Sequence, residues 1–169
     1  MRTACGRRSQ RVIELERQGE SLALALDDAE ATLLRRLADE LRSVVSGGQD
    51  TDSVQRRLFP DAYESPDDSR AFRDLVESEL RTGKLATLDR VSSDLGPDGA
   101  AHVVLDTEGV TAWLTALTDM RLAIGTRLDV DEEKMAAELD KTDESFAPLW
   151  VLHWLGWVQE SLLREEMGT

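Results

Sequence analysis

Two histidines are the first candidates for catalysis or metal binding in this 169-residue sequence. His102 stands in a strand-like apolar segment, and His153 stands in a Trp-rich segment with helical spacing. A catalytic or metal-bound histidine needs a carboxylate, a thiol or a second histidine at a suitable spacing, and no HxxxH, HxxE or CxxC motif occurs. Packing or surface roles are therefore favoured for both, and we expect no catalytic residue, no metal ligand and no cofactor.

The single cysteine, Cys5, is the candidate for redox chemistry. Arg2, Arg7 and Arg8 flank it, and neighbouring positive charge favours the reactive thiolate. An inert thiol is the alternative interpretation. One cysteine excludes an intramolecular disulfide, which fits a reducing compartment.

The same segment is the candidate for contact with nucleic acid, because no acidic residue precedes Glu14. Residues 1–11 are predicted to form a basic, disordered arm that could contact nucleic acid. The alternative is a solvated tail without that role. The net charge of the whole chain is −14, which repels phosphate. We therefore expect only weak or indirect contact with DNA. The arginines of the arm are Arg2, Arg7, Arg8 and Arg11.

Composition indicates a single globular domain over residues 12–169, since 41% of the residues are hydrophobic and 32% are charged. The acidic clusters lack the glycine and the ligand spacing of a calcium loop, so helix capping and solvation explain them better than metal binding. The longest apolar run covers about 13 residues, 146–158, whereas a membrane span needs about 20. The protein is expected to be cytoplasmic.

Period-two alternation predicts short strands near residues 11–17, 21–26 and 102–106. Spacings of three and four predict helices elsewhere. One begins at a cap on Asp27 or Asp28 and ends at Gly47 and Gly48, and another is capped by Asp106. The predicted fold is mainly α, a single-domain helical bundle of five to six helices with a small antiparallel sheet of two or three strands.

Other helix boundaries follow from turn-forming residues. Residues 46–67 are loop-like, and a helix after Pro66 is predicted to turn Phe72, Leu75, Val76 and Leu80 inward and to break or kink at Gly83. Asp131 is predicted to cap a short acidic helix through Leu139, and Ser145 to cap the last helix.

Six aromatic residues are candidates for either the core or an interface. The last helix is apolar nearly all round, so its own fold or a partner must enclose it. The core interpretation is favoured, while the enrichment of Trp at binding hot spots supports the alternative. Asp119 and Arg121 interrupt an apolar helix and are expected to form a buried polar contact with another segment. The six aromatic residues are Phe59, Tyr63, Trp113, Trp150, Trp154 and Trp157.

Four segments together resemble the actinobacterial oxidative-stress regulator family, the AosR-like proteins, whose genes lie near that of the ClpS adaptor. The segments are residues 58–63, residues 72–84 with Phe72, Arg73, Leu80, Arg81 and Lys84, residues 113–128 and residues 154–162. The resemblance implies a redox-linked transcriptional regulator that is oligomeric, with a homodimer as the simplest form, and that is not an enzyme.

Two departures modify what the resemblance implies. A dithiol switch within one chain needs two cysteines, and this sequence has one. The acidic body shows no helix-turn-helix pattern, so contact with polymerase or a sigma factor is physically easier than reading DNA unaided. The alternative function, from the gene neighbourhood, is an accessory role in ClpS- and Clp-dependent proteolysis.

Overall fold

The computed structural model describes residues 13–47, 53–60, 70–131, 133 and 146–168. The predicted class, mainly helical with a small antiparallel sheet, is confirmed, and five helices fall within these ranges. None of them is both long and apolar enough to span a bilayer. In chain order the elements are β1 (Glu14–Gln18), β2 (Ser21–Leu26), α1 (Asp28–Ser46), α2 (Ser53–Leu58), α3 (Arg70–Leu95), β3 (Ala101–Leu105), α4 (Thr107–Arg127) and α5 (Phe146–Met167).

The three strands form an antiparallel sheet in the order β1-β2-β3, close to the predicted boundaries. Leu24 of β2 lies opposite Leu15 on one side and Val103 on the other, so these apolar side chains share one face. That face is a wall of the hydrophobic core. The opposite face carries exposed residues, among them Glu14, Glu16, His102 and Val104.

Asp27 is the residue that caps α1. Its carboxylate accepts a hydrogen bond from the amide of Glu30 at 2.9 Å, and the Glu30 carboxylate accepts one from the amide of Asp27 at 2.9 Å. This reciprocal capping box satisfies two amides that the helix leaves unpaired. The helix ends at Gly47, and its core face is buried at Ala31, Leu34, Ala38, Leu41 and Val45.

The prediction of a loop over residues 46–67 is wrong where α2 lies. Val54 and Leu58 are four residues apart and buried, and α2 packs against α4. A helix of six residues cannot be stable alone, so tertiary packing stabilises it. The Ser- and Asp-rich flanks conceal this short apolar pair from a periodicity search.

Two further predictions, both about α3, are wrong. The helix runs for 26 residues through Gly83 without a break, because one helical glycine costs only about 1 kcal/mol. Phe72, Leu75 and Leu80 are not turned inward but are 54%, 56% and 36% exposed. The buried residues of α3 are Leu88, Val91 and Leu95, so its second half is the part that packs on the core.

A turn follows α3 and is held by a side chain of α1. Gly96 and Gly99 adopt a φ of 68°, which glycine adopts without steric cost. The Arg35 guanidinium donates hydrogen bonds to the carbonyls of Leu95, Gly96, Asp98 and Gly99 at 2.7 to 3.0 Å.

Helix α4 is central and packs against α1, α2, α3 and α5. As predicted, Asp106 caps it, and its carboxylate accepts a hydrogen bond from the amide of Gly109 at 2.7 Å. Helix α5 packs on α4 and contacts β1. The predicted helix from Asp131 to Leu139 and the predicted cap at Ser145 lie almost entirely outside the described residues.

Candidate interaction surface

Helix α5 carries a stacked pair of tryptophans at its N-terminal end. The rings of Trp150 and Trp154 are nearly parallel, with centroids 6.3 Å apart and an interplanar angle of 10°. Trp154 is half-buried against the core, whereas Trp150 is 45% exposed. Because the packed ring supports the exposed one, the pair is a preorganised aromatic surface.

The other side of α5 is enclosed by the fold. Leu155, Val158 and Leu162 are fully buried in the core, and Trp157 is half-buried against it. The helix is therefore covered along one face and open to solvent at Trp150. Of the three tryptophans of α5, Trp154 and Trp157 pack against the core and Trp150 is exposed.

Phe59 and Trp113 lie in the core, with no exposed surface. The Trp113 Nε1 donates a hydrogen bond to Oδ2 of Asp94 at 2.9 Å. The Arg81 guanidinium lies 4.9 Å from the centroid of the Phe59 ring, in a cation–π contact. Neither aromatic ring is accessible to a partner. The candidates Cys5, Tyr63, Arg2, Arg7, Arg8 and Arg11 lie outside the described residues.

Asp119 and Arg121 each contact another helix, as predicted from their position in an apolar segment. Lys84 Nζ of α3 donates to both carboxylate oxygens of Asp119 at 2.8 Å. Arg121 Nη1 donates to Oε1 of Gln159 in α5 at 2.7 Å. The Gln159 amide nitrogen in turn donates to Thr118 Oγ1 at 2.7 Å. These contacts join α3 and α5 to the central helix.

Gly156 allows Arg121 to approach α5 closely. A β-carbon at Gly156 would lie 3.4 Å from the guanidinium carbon, the near limit of ordinary contact. The guanidinium therefore packs flat against the backbone of α5. Its Nε is buried and has no hydrogen-bond acceptor in the described part of the chain.

The two histidines differ in environment. His102 is exposed on the outer face of the sheet. His153 is half-buried in α5, and its Nε2 has no hydrogen-bond partner among the described residues. Within the same ranges, no group of three or more His, Cys, Asp and Glu side chains is placed to hold a metal ion.

A small charged cluster surrounds the cap of α4. The Arg90 guanidinium contacts Asp94 at 3.0 Å and Asp106 at 3.4 Å, and the hydrogen bond to Asp94 is the main cause that raises the pKa of Arg90. The pKa of Asp106 is lowered, chiefly by the hydrogen bond from the Gly109 amide and further by Arg90. The cluster fixes the start of α4 beside α3 and has a structural role.

The sequence matches a family model described as "Domain of unknown function (DUF2017)" over residues 10–165. The chain belongs to this family. Two similar proteins bear the name "Oxidative stress regulator AosR", one from Mycobacterium bovis and one from Mycobacterium tuberculosis. Each is 27% identical over 161 residues, which covers 85% of this chain and 72% of the relative. No solved structure matches the chain.

The likeness confirms that this DUF2017 protein is AosR-like, as its motifs indicated. Sequence reasoning did not find the partners of the polar pairs, Lys84 and Gln159, which stand 35 and 38 positions from their contacts. Polar interruptions in an apolar helix signal that a contact exists, but helical spacing cannot identify a residue on another element.

Proposed function

We propose that this DUF2017 protein is a non-enzymatic regulator that acts through protein–protein contacts with the transcription machinery, either RNA polymerase or a sigma factor. The name of its mycobacterial relatives, oxidative stress regulator, supports a regulatory role. The structural observation that carries the proposal is the stacked pair of Trp150 and Trp154 at one end of α5.

An exposed tryptophan that is already held in place has the properties of a binding hot spot. It buries a large apolar area on association and loses little conformational entropy, because Trp154 fixes its ring beforehand. At 45% exposure Trp150 still presents much of its surface. The second half of α5 is anchored in the core, so the surface is carried on a rigid element.

Charge indicates which kind of partner fits. A net charge of −14 opposes contact with nucleic acid and steers the protein toward basic surfaces. Proteins that bind nucleic acid carry basic surfaces that neutralise phosphate. Polymerase and sigma factors belong to this class, and an acidic regulator complements them.

The interior polar groups support a structural rather than catalytic use. Asp119 is neutralised by Lys84, and Asp94 is held by both Arg90 and Trp113. Each of these carboxylates has a cationic or donor partner on a helix that it helps to position. A link to oxidation would then run through Cys5, the one thiol of the sequence.

The experiment compares two α5 variants that remove side chains of equal exposure. Trp150 and Leu163 are each 45% exposed, so Trp150→Ala and Leu163→Ala both leave the core intact. Each variant is used to capture purified polymerase core, sigma factors and, separately, Clp subunits, with binding measured by surface plasmon resonance. We expect Trp150→Ala to weaken binding to polymerase or a sigma factor by at least about tenfold, the loss of about 1.4 kcal/mol.

Leu163→Ala should bind like the wild type, and thermal melts of both variants should be unchanged. Equal binding by the wild type and Trp150→Ala would contradict the proposed surface. Capture of Clp subunits in place of polymerase and sigma factors would contradict the proposed partner and favour the proteolytic role.

A further inference from the structure

A cavity of about 390 Å³ opens where α2, α4 and α5 meet. Helix α4 forms most of its wall, α2 contributes Arg57, and α5 contributes Leu152. Among the described residues its lining includes Arg57, Arg121, Leu122, Gly125, Asp129 and Leu152. The volume lies within the usual range for sites that bind small molecules.

The polar part of this lining is cationic on balance. Arg57 and Arg121 bring two guanidinium groups, against one carboxylate from Asp129. Guanidinium groups present forked N–H donors that match the oxygens of a carboxylate or a phosphate. Two such groups stand on separate helices of a chain whose net charge is −14.

Arg121 is held in position independently of any ligand. Its Nη1 bonds to Gln159, and its guanidinium rests on Gly156. The buried Nε has no acceptor among the described residues and lies against Gly156, so the terminal nitrogens of the guanidinium are the ones that a ligand in the cavity could contact.

The rim next to α4 has a fixed backbone. Val130 donates its amide hydrogen to the Gly125 carbonyl at 3.0 Å, and Asp129 adopts a φ of 49° at the turn that ends the helix. This left-handed conformation is one that Asp tolerates better than most residues. At Gly125, no described atom beyond its chain neighbours and its own helix backbone lies within 4 Å of the site where a β-carbon would stand, so the described part of the wall is open at that point.

We infer that this cavity binds a small organic anion, with its carboxylate or phosphate group held by Arg57 and Arg121 and its apolar part against Leu122 and Leu152. The site is a binding site and not a catalytic one. The inference is independent of the protein–protein contact proposed above, because it concerns the isolated protein and a surface that does not include Trp150.

The test uses hexanoate and hexyl phosphate as probes and hexanol as their uncharged counterpart, at constant ionic strength. Binding is followed by the backbone amide chemical shifts of Leu122, Gly125 and Val130, which an 18.8 kDa protein permits. We expect saturable shifts at these amides with at least one of the two anions, and binding of hexanol at least about tenfold weaker. Which anion binds more tightly distinguishes a carboxylate ligand from a phosphate ligand.

Arg57→Gln should weaken anion binding about tenfold, the loss of one charge-assisted contact. Arg56→Gln is the matched control, because it removes the same charge from the same helix but lies outside the cavity lining. Asp129→Asn removes the opposing carboxylate, keeps a residue that tolerates the left-handed backbone, and should tighten binding several-fold. Both Arg variants are on an exposed face, and their folds can be checked from the remaining amide shifts.

Three results would overturn the inference. One is the absence of saturable shifts with both anions, and another is hexanol binding as tightly as they do. The third is an equal loss in Arg56→Gln and Arg57→Gln, which would mean that binding follows the general charge of α2 and not the cavity.

Discussion

The ammonium group of Lys84 donates to both carboxylate oxygens of Asp119 at 2.8 Å, with the two side chains only 17% and 11% exposed. The pair joins α3 to the central helix, at the point where α3 passes from its exposed first half to its packed second half. Because both charges are largely withdrawn from water, each depends on the other for stabilisation.

Asp119→Ala is expected to lower the free energy of unfolding by about 3 kcal/mol, because it leaves the Lys84 charge without its partner in a poorly solvated site. Urea denaturation measures the change. The double variant Lys84→Met with Asp119→Leu should recover most of it, since an apolar pair has no desolvation cost. Arg36→Ala is the control, as its pair with Glu40 is 77% and 42% exposed and should contribute less than about 1 kcal/mol. An equal loss in Asp119→Ala and Arg36→Ala would contradict this account.

Local patterns account for much of the fold. Alternation predicted the strands because residues 22, 24 and 26 face one side of a pleated sheet. The alternating direction of side chains is a local property of a strand and does not depend on the rest of the chain. The caps at Asp27 and Asp106 were predictable for the same reason, since each binds an amide three residues away. Helix α2 was not predictable from the sequence, because its stability comes from packing on α4.

The sequence could not predict which apolar side chains the fold leaves exposed. Phe72 and Leu75 have the same helical spacing as buried residues, and only the position of α3 relative to its neighbours shows that they are exposed. The cavity could not be predicted either, because its two arginines stand on different helices, α2 and α4. Nor does the sequence show that Trp150 is more exposed than Trp154. A pattern predicts which face is apolar, but not whether the fold covers it.

The stability difference between the wild type and Asp106→Asn should depend on pH. The pKa of Asp106 in the folded protein is lowered below its ordinary value of 3.8, first by the Gly109 amide and then by Arg90. A lowered pKa means that the ionised carboxylate stabilises the fold above about pH 4, and that this contribution is lost as the pH falls through the folded-state pKa. Asn caps a helix equally well but cannot ionise.

We therefore expect the wild type to be more stable than Asp106→Asn at pH 7 and the two to converge as the pH falls below about 4. Urea titrations at a series of pH values measure the difference, and the other carboxylates cancel in the comparison. A gap that stays constant from pH 7 to pH 2 would show that ionisation of Asp106 does not contribute.

Two glycine variants in helices are expected to act in opposite directions. A β-carbon at Gly109 would lie 2.8 Å from Arg90 Nη2 and 2.9 Å from the Asp106 carboxylate, so Gly109→Ala disturbs the cap of α4 and destabilises the protein. At Gly83, no described atom beyond its chain neighbours and its own helix backbone lies within 4 Å of the same position, so Gly83→Ala should stabilise the protein by roughly 1 kcal/mol. Thermal melts separate the two, and a lower melting temperature for Gly83→Ala would indicate a strained helix there.

Oxidation is predicted to link two chains through Cys5 alone, giving a covalent dimer that thiol reductant removes. Non-reducing electrophoresis after peroxide treatment detects it, and Cys5→Ser should abolish it. Persistence of the same species in Cys5→Ser would contradict the prediction. The nearby arginines favour the thiolate, so the reaction should slow as the pH is lowered.

Trp113 is expected to be the aromatic residue on which stability depends most. Its side chain is completely buried, and its indole N–H bonds to Asp94, which also pairs with Arg90. Trp113→Ala should cost about 3–5 kcal/mol, a large part of a typical stability of about 5–15 kcal/mol. Trp113→Phe keeps an apolar ring and leaves Asp94 bonded to Arg90, so its cost should be smaller.

Trp150→Phe is the control at an exposed position and should change stability by less than about 0.5 kcal/mol. Chemical denaturation followed by far-UV circular dichroism measures all three, independently of the tryptophan signal that the variants alter. Equal effects of Trp113→Phe and Trp113→Ala would mean that the indole hydrogen bond, and not the buried ring, is what α4 requires at this position.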